Sequence, residues 1–134
     1  MALYKHIALI EDNPIDVFIN TKVIEQAELG ETISSFPSAR PALDYLKDSE
    51  EKNLEMPELI ILDIRMPDMD GFEFLEAFAQ FSDVVTTSVK IIMLSSSIDL
   101  EDELKARSFA SVIDFICKPL TKDKLLSVNF NSHL

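Results

Sequence analysis

Five positions in this chain carry side chains that together suit the chemistry of a transferring phosphoryl group. Glu11 and Asp12 are adjacent acids, Asp63 closes the apolar run Leu59-Ile60-Ile61-Leu62, Ser95 follows Met93-Leu94, and Lys118 stands between Cys117 and Pro119. Three carboxylates brought together are unfavourable until something neutralises them: either they raise one another's pKa or a cation binds. Hard oxygen ligands at an open site suit Mg2+, which keeps several of its waters and takes few carboxylates. A lysine adds a fixed positive charge and a serine adds a hydroxyl. Metal and lysine would neutralise the equatorial oxygens of a phosphoryl group, and an aspartate can serve as its nucleophile.

Taken singly, each of these residues has an ordinary explanation. Glu11-Asp12 would cap a helix, Asp63 would sit in a turn, Ser95 to Ser97 would form a polar loop, and Lys118 would be a solvated surface lysine. The order of elements gives them joint meaning. Short apolar runs alternate with helical patterns along the whole chain, so we expect an α/β fold with a parallel sheet and helices on both faces. The strands are His6–Ile10, Thr32–Phe36, Leu59–Leu62, Val89–Leu94 and Val112–Cys117. Pro14 opens a first helix in which Ile15, Phe18, Ile19, Lys22, Val23 and Gln26 recur at helical spacing, with Gly30 as its stop. Ala42, Leu43, Tyr45 and Leu46 mark a short second helix, and the charged stretch Lys47 to Pro57 reads as a loop. Phe72, Leu75, Phe78 and Ala79 give a third helix, Asp99 caps a fourth and Thr121 a fifth. Parallel α/β sheets carry their sites beyond the carboxyl ends of the strands. In this arrangement those ends deliver Glu11, Asp12, Asp63, Ser95 and Lys118 to one edge.

Composition narrows the setting. The chain has 134 residues, 47% of them hydrophobic, which suits one domain, 1–134, with one core and no output domain. Its net charge of −12 argues against nucleic acid and against anionic membrane as partners. The single cysteine, Cys117, rules out an internal disulfide and suits a reducing compartment, and no apolar run approaches a membrane span. A cytoplasmic protein is the default. Cys117 reads as a small core residue, and His6 and His133 as neither carriers nor ligands. Phe72, Phe74, Phe78 and Phe81 include core, and their number leaves room for an exposed patch that binds a partner.

The acidic pair Glu11-Asp12, LIILDIRMPDMDG from Leu59 to Gly71, MLSSS from Met93 to Ser97 and DFICKP from Asp114 to Pro119 resemble the receiver domains of two-component response regulators, as in single-domain chemotaxis regulators. The resemblance covers nearly the whole chain and implies the flavodoxin-like receiver fold, a five-stranded sheet of order 2-1-3-4-5. It implies Asp63 as phosphoacceptor and Mg2+ held by Asp12 and Asp63 directly, by Glu11 through water and by the backbone carbonyl of Arg65. It implies Ser95 as the switch hydroxyl, Lys118 as the lysine that pairs with acceptor and phosphate, and Phe115 as the aromatic switch. No separate organic cofactor is implied. Three positions depart from the commonest pattern: Glu11 for Asp, Ser111 for Gly, and Phe115 for Tyr.

The resemblance further implies a phosphorylation-dependent switch that receives its phosphoryl group from a sensor histidine kinase or a histidine phosphotransfer protein. It is not a conventional enzyme, although it would catalyse its own phosphotransfer and autodephosphorylation. The output would be a changed face made by the fourth predicted helix, fifth strand and fifth predicted helix, near Leu104, Arg107 and Lys122. The stimulus, downstream target and oligomeric state are not legible. A phosphorelay intermediate, a phosphate sink and a non-phosphorylated receiver-like interaction module are the alternatives. A haloacid dehalogenase-type phosphatase would want an acid where Arg65 stands. A flavodoxin-like cofactor carrier would want a phosphate-cradling loop where Glu-Asp-Asn-Pro stands.

Overall fold

The computed structural model describes residues 2–97 and 99–130. Five parallel strands form one sheet in the order β2-β1-β3-β4-β5. They are β1 (Tyr4–Ile10), β2 (Gly30–Phe36), β3 (Leu59–Asp63), β4 (Lys90–Ser95) and β5 (Val112–Cys117). The helices are α1 (Pro14–Gln26), α2 (Ala39–Glu51), α3 (Gly71–Phe78), α4 (Asp83–Ser88), α5 (Leu100–Arg107) and α6 (Lys122–Leu126). The expected sheet and its order are therefore present.

Side chains alternate across each strand, and with both faces covered the central strands read as unbroken apolar runs. Ala8, Ile10, Ile60, Leu62, Ile91 and Met93 face one core with Ala42, Leu46, Phe74, Phe78 and Ala106. Ile7, Leu9, Leu59, Ile61, Ile92 and Leu94 face the other with Ile24, Leu125 and Val128. Thus α1 and α6 cover one face, and α2, α3, α4 and α5 the other. Each fully buried Leu, Ile or Phe contributes roughly 1.5–3 kcal/mol of transfer free energy.

Several sequence expectations need correction. The second helix is not short: α2 continues through Glu51, into the stretch expected to be loop. Its charged residues lie outward while Leu46 and Ser49 are buried, and Asp48 pairs with Lys52 at 3.2 Å, one turn apart. A sixth helix, α4, lies between α3 and β4, so the predicted fourth and fifth helices are α5 and α6. Gly30 does not stop α1; that helix ends at Gln26 with Ala27 as its C-cap, Glu28 takes φ 53°, and Gly30 begins β2.

The apolar stripe expected to bury α1 is largely on its outside. Ile15, Phe18 and Ile19 are 70%, 65% and 41% exposed. The helix instead docks through Val17, Asn20, Ile24 and Ala27, an i, i+3, i+7, i+10 series. By contrast Phe72, Phe74 and Phe78 are all buried and Phe81 packs against them, so α3 offers no phenylalanine patch. Cys117 is half-buried at the end of β5, not a core residue.

Candidate functional site

The expected groups arrive on four strand ends, with Glu11 and Asp12 sharing that of β1. β1 ends at Ile10, and Glu11 follows with its side chain buried. Asn13 caps α1, accepting from the Ile15 and Asp16 amides at 2.9 and 3.3 Å, so neither Glu11 nor Asp12 is spent as the cap. Asp63 ends the fully buried β3 and is only 3% exposed. Ser95 ends β4, and its backbone carbonyl accepts from the Lys118 amide at 2.7 Å, which ties the β5 exit to the β4 exit. The Lys118–Pro119 peptide is cis.

Lys118 is the hub. Its Nζ lies 2.7 Å from Glu11 Oε1, 3.1 Å from Asp16 Oδ2 and 3.2 Å from Asp63 Oδ1. An ammonium has three protons: one goes to Glu11 and one to Asp16 in hydrogen bonds, and Asp63 is paired with it by charge. Burial works against the lysine's charge, but the hydrogen bond to Glu11 and the charges of Asp63 and Glu11 outweigh it and raise its pKa, so it stays ionised. Burial pushes the Glu11 carboxyl up to about 7, against the pull of Lys118. Burial likewise raises Asp63, opposed by Lys118 and by hydrogen bonds from Glu11 and the Arg65 backbone. One lysine thus leaves the carboxylates under-compensated.

Glu11, Asp12 and Asp63 each offer a carboxylate oxygen, and these oxygens lie within 4.8 Å of one another, Asp12 being exposed to solvent. Two buried acids and one open one, in excess negative charge, fit a hard divalent cation that keeps part of its water shell. The donor set contains no thiolate or imidazole, which disfavours softer metals.

Ser95 is fully buried, and its hydroxyl is engaged away from the carboxylates. It donates to the Ser97 carbonyl at 2.9 Å and accepts from the Ser97 amide at 3.3 Å. Phe115 lies beside Met93 in the β4–β5 register and packs, partly buried, against the α2–α5 core. The Arg65 guanidinium reaches across to Asp102 Oδ2 on α5 at 3.3 Å. The structure therefore gathers Glu11, Asp12, Asp63 and Lys118 into one cluster and sets Ser95 and Phe115 beside it.

Sequence reading missed Asp16. The signal was present, because an acid in the first turn of a helix that follows β1 stands at the same sheet edge as Glu11 and Asp12. It also missed Asp102, which lies far away in sequence and gives no local sign of pairing with Arg65.

Residues 7–129 match the response regulator receiver domain family, and the chain belongs to it. A crystal structure of a two-component response regulator from Cytophaga hutchinsonii is 30% identical, with a TM-score of 0.86 over 96% of both chains. Among sequences, "Probable methanogenesis regulatory protein FilR2" of Methanothrix harundinacea is 27% identical over 119 residues, 89% of this chain and 75% of that protein. "Hybrid signal transduction histidine kinase L" of Dictyostelium discoideum is 30% identical over 126 residues, which are 91% of this chain and 7% of the kinase. The chain thus spans most of one relative and a small part of the other.

Proposed function

We propose that this receiver domain takes a phosphoryl group from phosphohistidine, on a sensor histidine kinase or a histidine phosphotransfer protein, onto Asp63. The observation that carries the reading is the buried Asp63 carboxylate at the end of the central strand, 3.2 Å from a lysine that stays charged. In the transfer, an Asp63 carboxylate oxygen forms an O–P bond as the P–N bond to the imidazole breaks. The bonding pair leaves with the imidazole nitrogen. Lys118 holds the acceptor oriented beforehand and hydrogen-bonds a phosphoryl oxygen afterwards.

Glu11, Asp12 and Asp63, with the Arg65 carbonyl, would hold Mg2+. When bound, the ion supplies charge neutralisation for the phosphoryl oxygens. Hydrolysis of the acyl phosphate by water resets the switch.

The added group brings about −1.5 to −2 charge and new acceptor oxygens. The Ser95 hydroxyl leaves Ser97 and donates to a phosphoryl oxygen. Phe115 then moves inward and buries more of its ring, which changes the face of α5, β5 and α6. A partner docking there near Leu104, Arg107 and Lys122 would read the change. The phosphate drives it only in so far as it contacts one packing better than the other.

The test is incubation with acetyl phosphate and Mg2+ followed by intact mass. One phosphoryl addition is expected with the metal, and none in excess chelator. Undiminished labelling in chelator would reject the metal-dependent reading.

A further inference from the structure

The Lys118 ammonium has more claimants than phosphoryl transfer requires. Glu11 and Asp63 belong to the cluster of carboxylates close enough to share a cation. The third, Asp16, is not in that cluster, yet its Oδ2 lies 3.1 Å from Lys118 Nζ. Its side chain is 36% exposed, against 1% for Glu11 and 5% for Asp63. Asp16 stands in the first turn of α1, where Pro14 and the Asn13 cap set the helix start and so fix its approach to Lys118.

This arm has a consequence for the phosphorylated state. A phosphoryl group on Asp63 brings oxygens that need a Lys118 proton, and two of the three protons are already held in hydrogen bonds by Glu11 and Asp16. The Asp63 carboxylate loses its charge when it becomes an acyl phosphate, but Asp16 is not altered. Asp16 also adds a full negative charge about one ion-pair distance from the lysine that must meet an incoming anion. Four carboxylates gather at this edge beside one lysine, and Asp16 is the one among them outside the cation cluster.

We propose that Asp16 is a positioning residue that competes with the phosphoryl group for Lys118 and thereby holds down the occupancy of the phosphorylated state. The inference rests on Asp63 being the phosphoacceptor. It makes α1 a lever on the switch: a contact that draws the Asp16 carboxylate away from Lys118 would favour phosphorylation without touching Asp63 or the metal ligands.

The test compares the full chain with Asp16→Asn and Asp16→Glu. Beryllofluoride, a non-covalent phosphoryl mimic, is titrated at fixed Mg2+ with NMR detection, and acetyl phosphate labelling is followed by intact mass. Asp16→Asn should bind beryllofluoride roughly three- to tenfold more tightly and label faster by a similar factor, the size expected for removing a partly screened charge. Asp16→Glu should return both towards wild type. Mg2+ affinity, measured by calorimetry, should shift less than about twofold, because Asp16 lies outside the ligand cluster. A purely structural role would weaken binding and slow labelling in Asp16→Asn, and either result overturns the inference. So does a gain matched by an equal gain in Mg2+ affinity, which would place the effect on the metal. Absence of beryllofluoride binding and labelling in the wild type would instead overturn the reading of Asp63 itself.

Discussion

The carboxylates at the sheet edge are held in place against their own repulsion. Burial raises both Glu11 and Asp63, and Lys118 is the one cation within hydrogen-bond reach of them among the described residues. Asp12 differs because it is exposed and makes none of the ion pairs that involve Lys118. Its proposed value lies in holding a cation, so Asp12→Ala should weaken Mg2+ binding at least tenfold by calorimetry. Without metal it should leave thermal stability unchanged or raise it slightly, because one like charge is gone. An unchanged Mg2+ affinity would remove Asp12 from the ligand set. At this scale the sequence showed residue types and strand ends but not pairings. It brought Glu11, Asp12, Asp63 and Lys118 to one edge, whereas the Asp16 and Arg65–Asp102 contacts depend on how α1 and α5 sit over that edge. Tertiary docking decides that, and no local pattern encodes it.

Among the elements, β3 was the most legible, because all five of its positions are buried and no exposed one blurs the apolar run, whereas exposed Lys5 hid the start of β1. Helix α4 was the least legible. Its sequence, DVVTTS, is rich in β-branched residues that disfavour helix. The helix is held from outside: Val85 packs into the core, the Ser82 amide donates to Glu50 and the Thr86 carbonyl accepts from Ser111, tertiary contacts that propensity does not count. Helix α1 misled for another reason: its inward series includes the polar Asn20, and the more apolar series points outward. Helix α3 is held close under the site by Gly71. A Cβ there would meet the Ile64 Cα at 2.9 Å and the Asp63 carbonyl oxygen at 3.0 Å, both backbone atoms that cannot turn aside. Gly71→Ala should therefore cost about 1–3 kcal/mol in chemical denaturation, the range for overpacking. A loss below about 0.5 kcal/mol would show that the β3–α3 loop yields easily. The proposed switch also belongs to this scale. Amide exchange with and without beryllofluoride should change along α5, β5 and α6, and Ser95→Ala should bind the mimic while losing that change. Changes confined to the loops around Asp63 would reject the Ser95–Phe115 route.

The molecule as a whole joins one fold to one charged edge. Family membership accounts for residues 7–129 and for the sheet order, and none of the described helices is long and apolar enough to cross a membrane. A net charge of −12 makes the site's excess of carboxylates part of a broadly acidic surface, so a basic partner face would meet it favourably. All of this depends on one covalent event at one residue. The most direct test traps it: wild-type protein is treated with acetyl phosphate and Mg2+, then reduced with borohydride, which converts an aspartyl phosphate to homoserine, and peptides are mapped by mass. The account predicts homoserine at position 63 alone, and none at any position in Asp63→Asn. Homoserine at position 12 or 16, or undiminished trapping in Asp63→Asn, would contradict it.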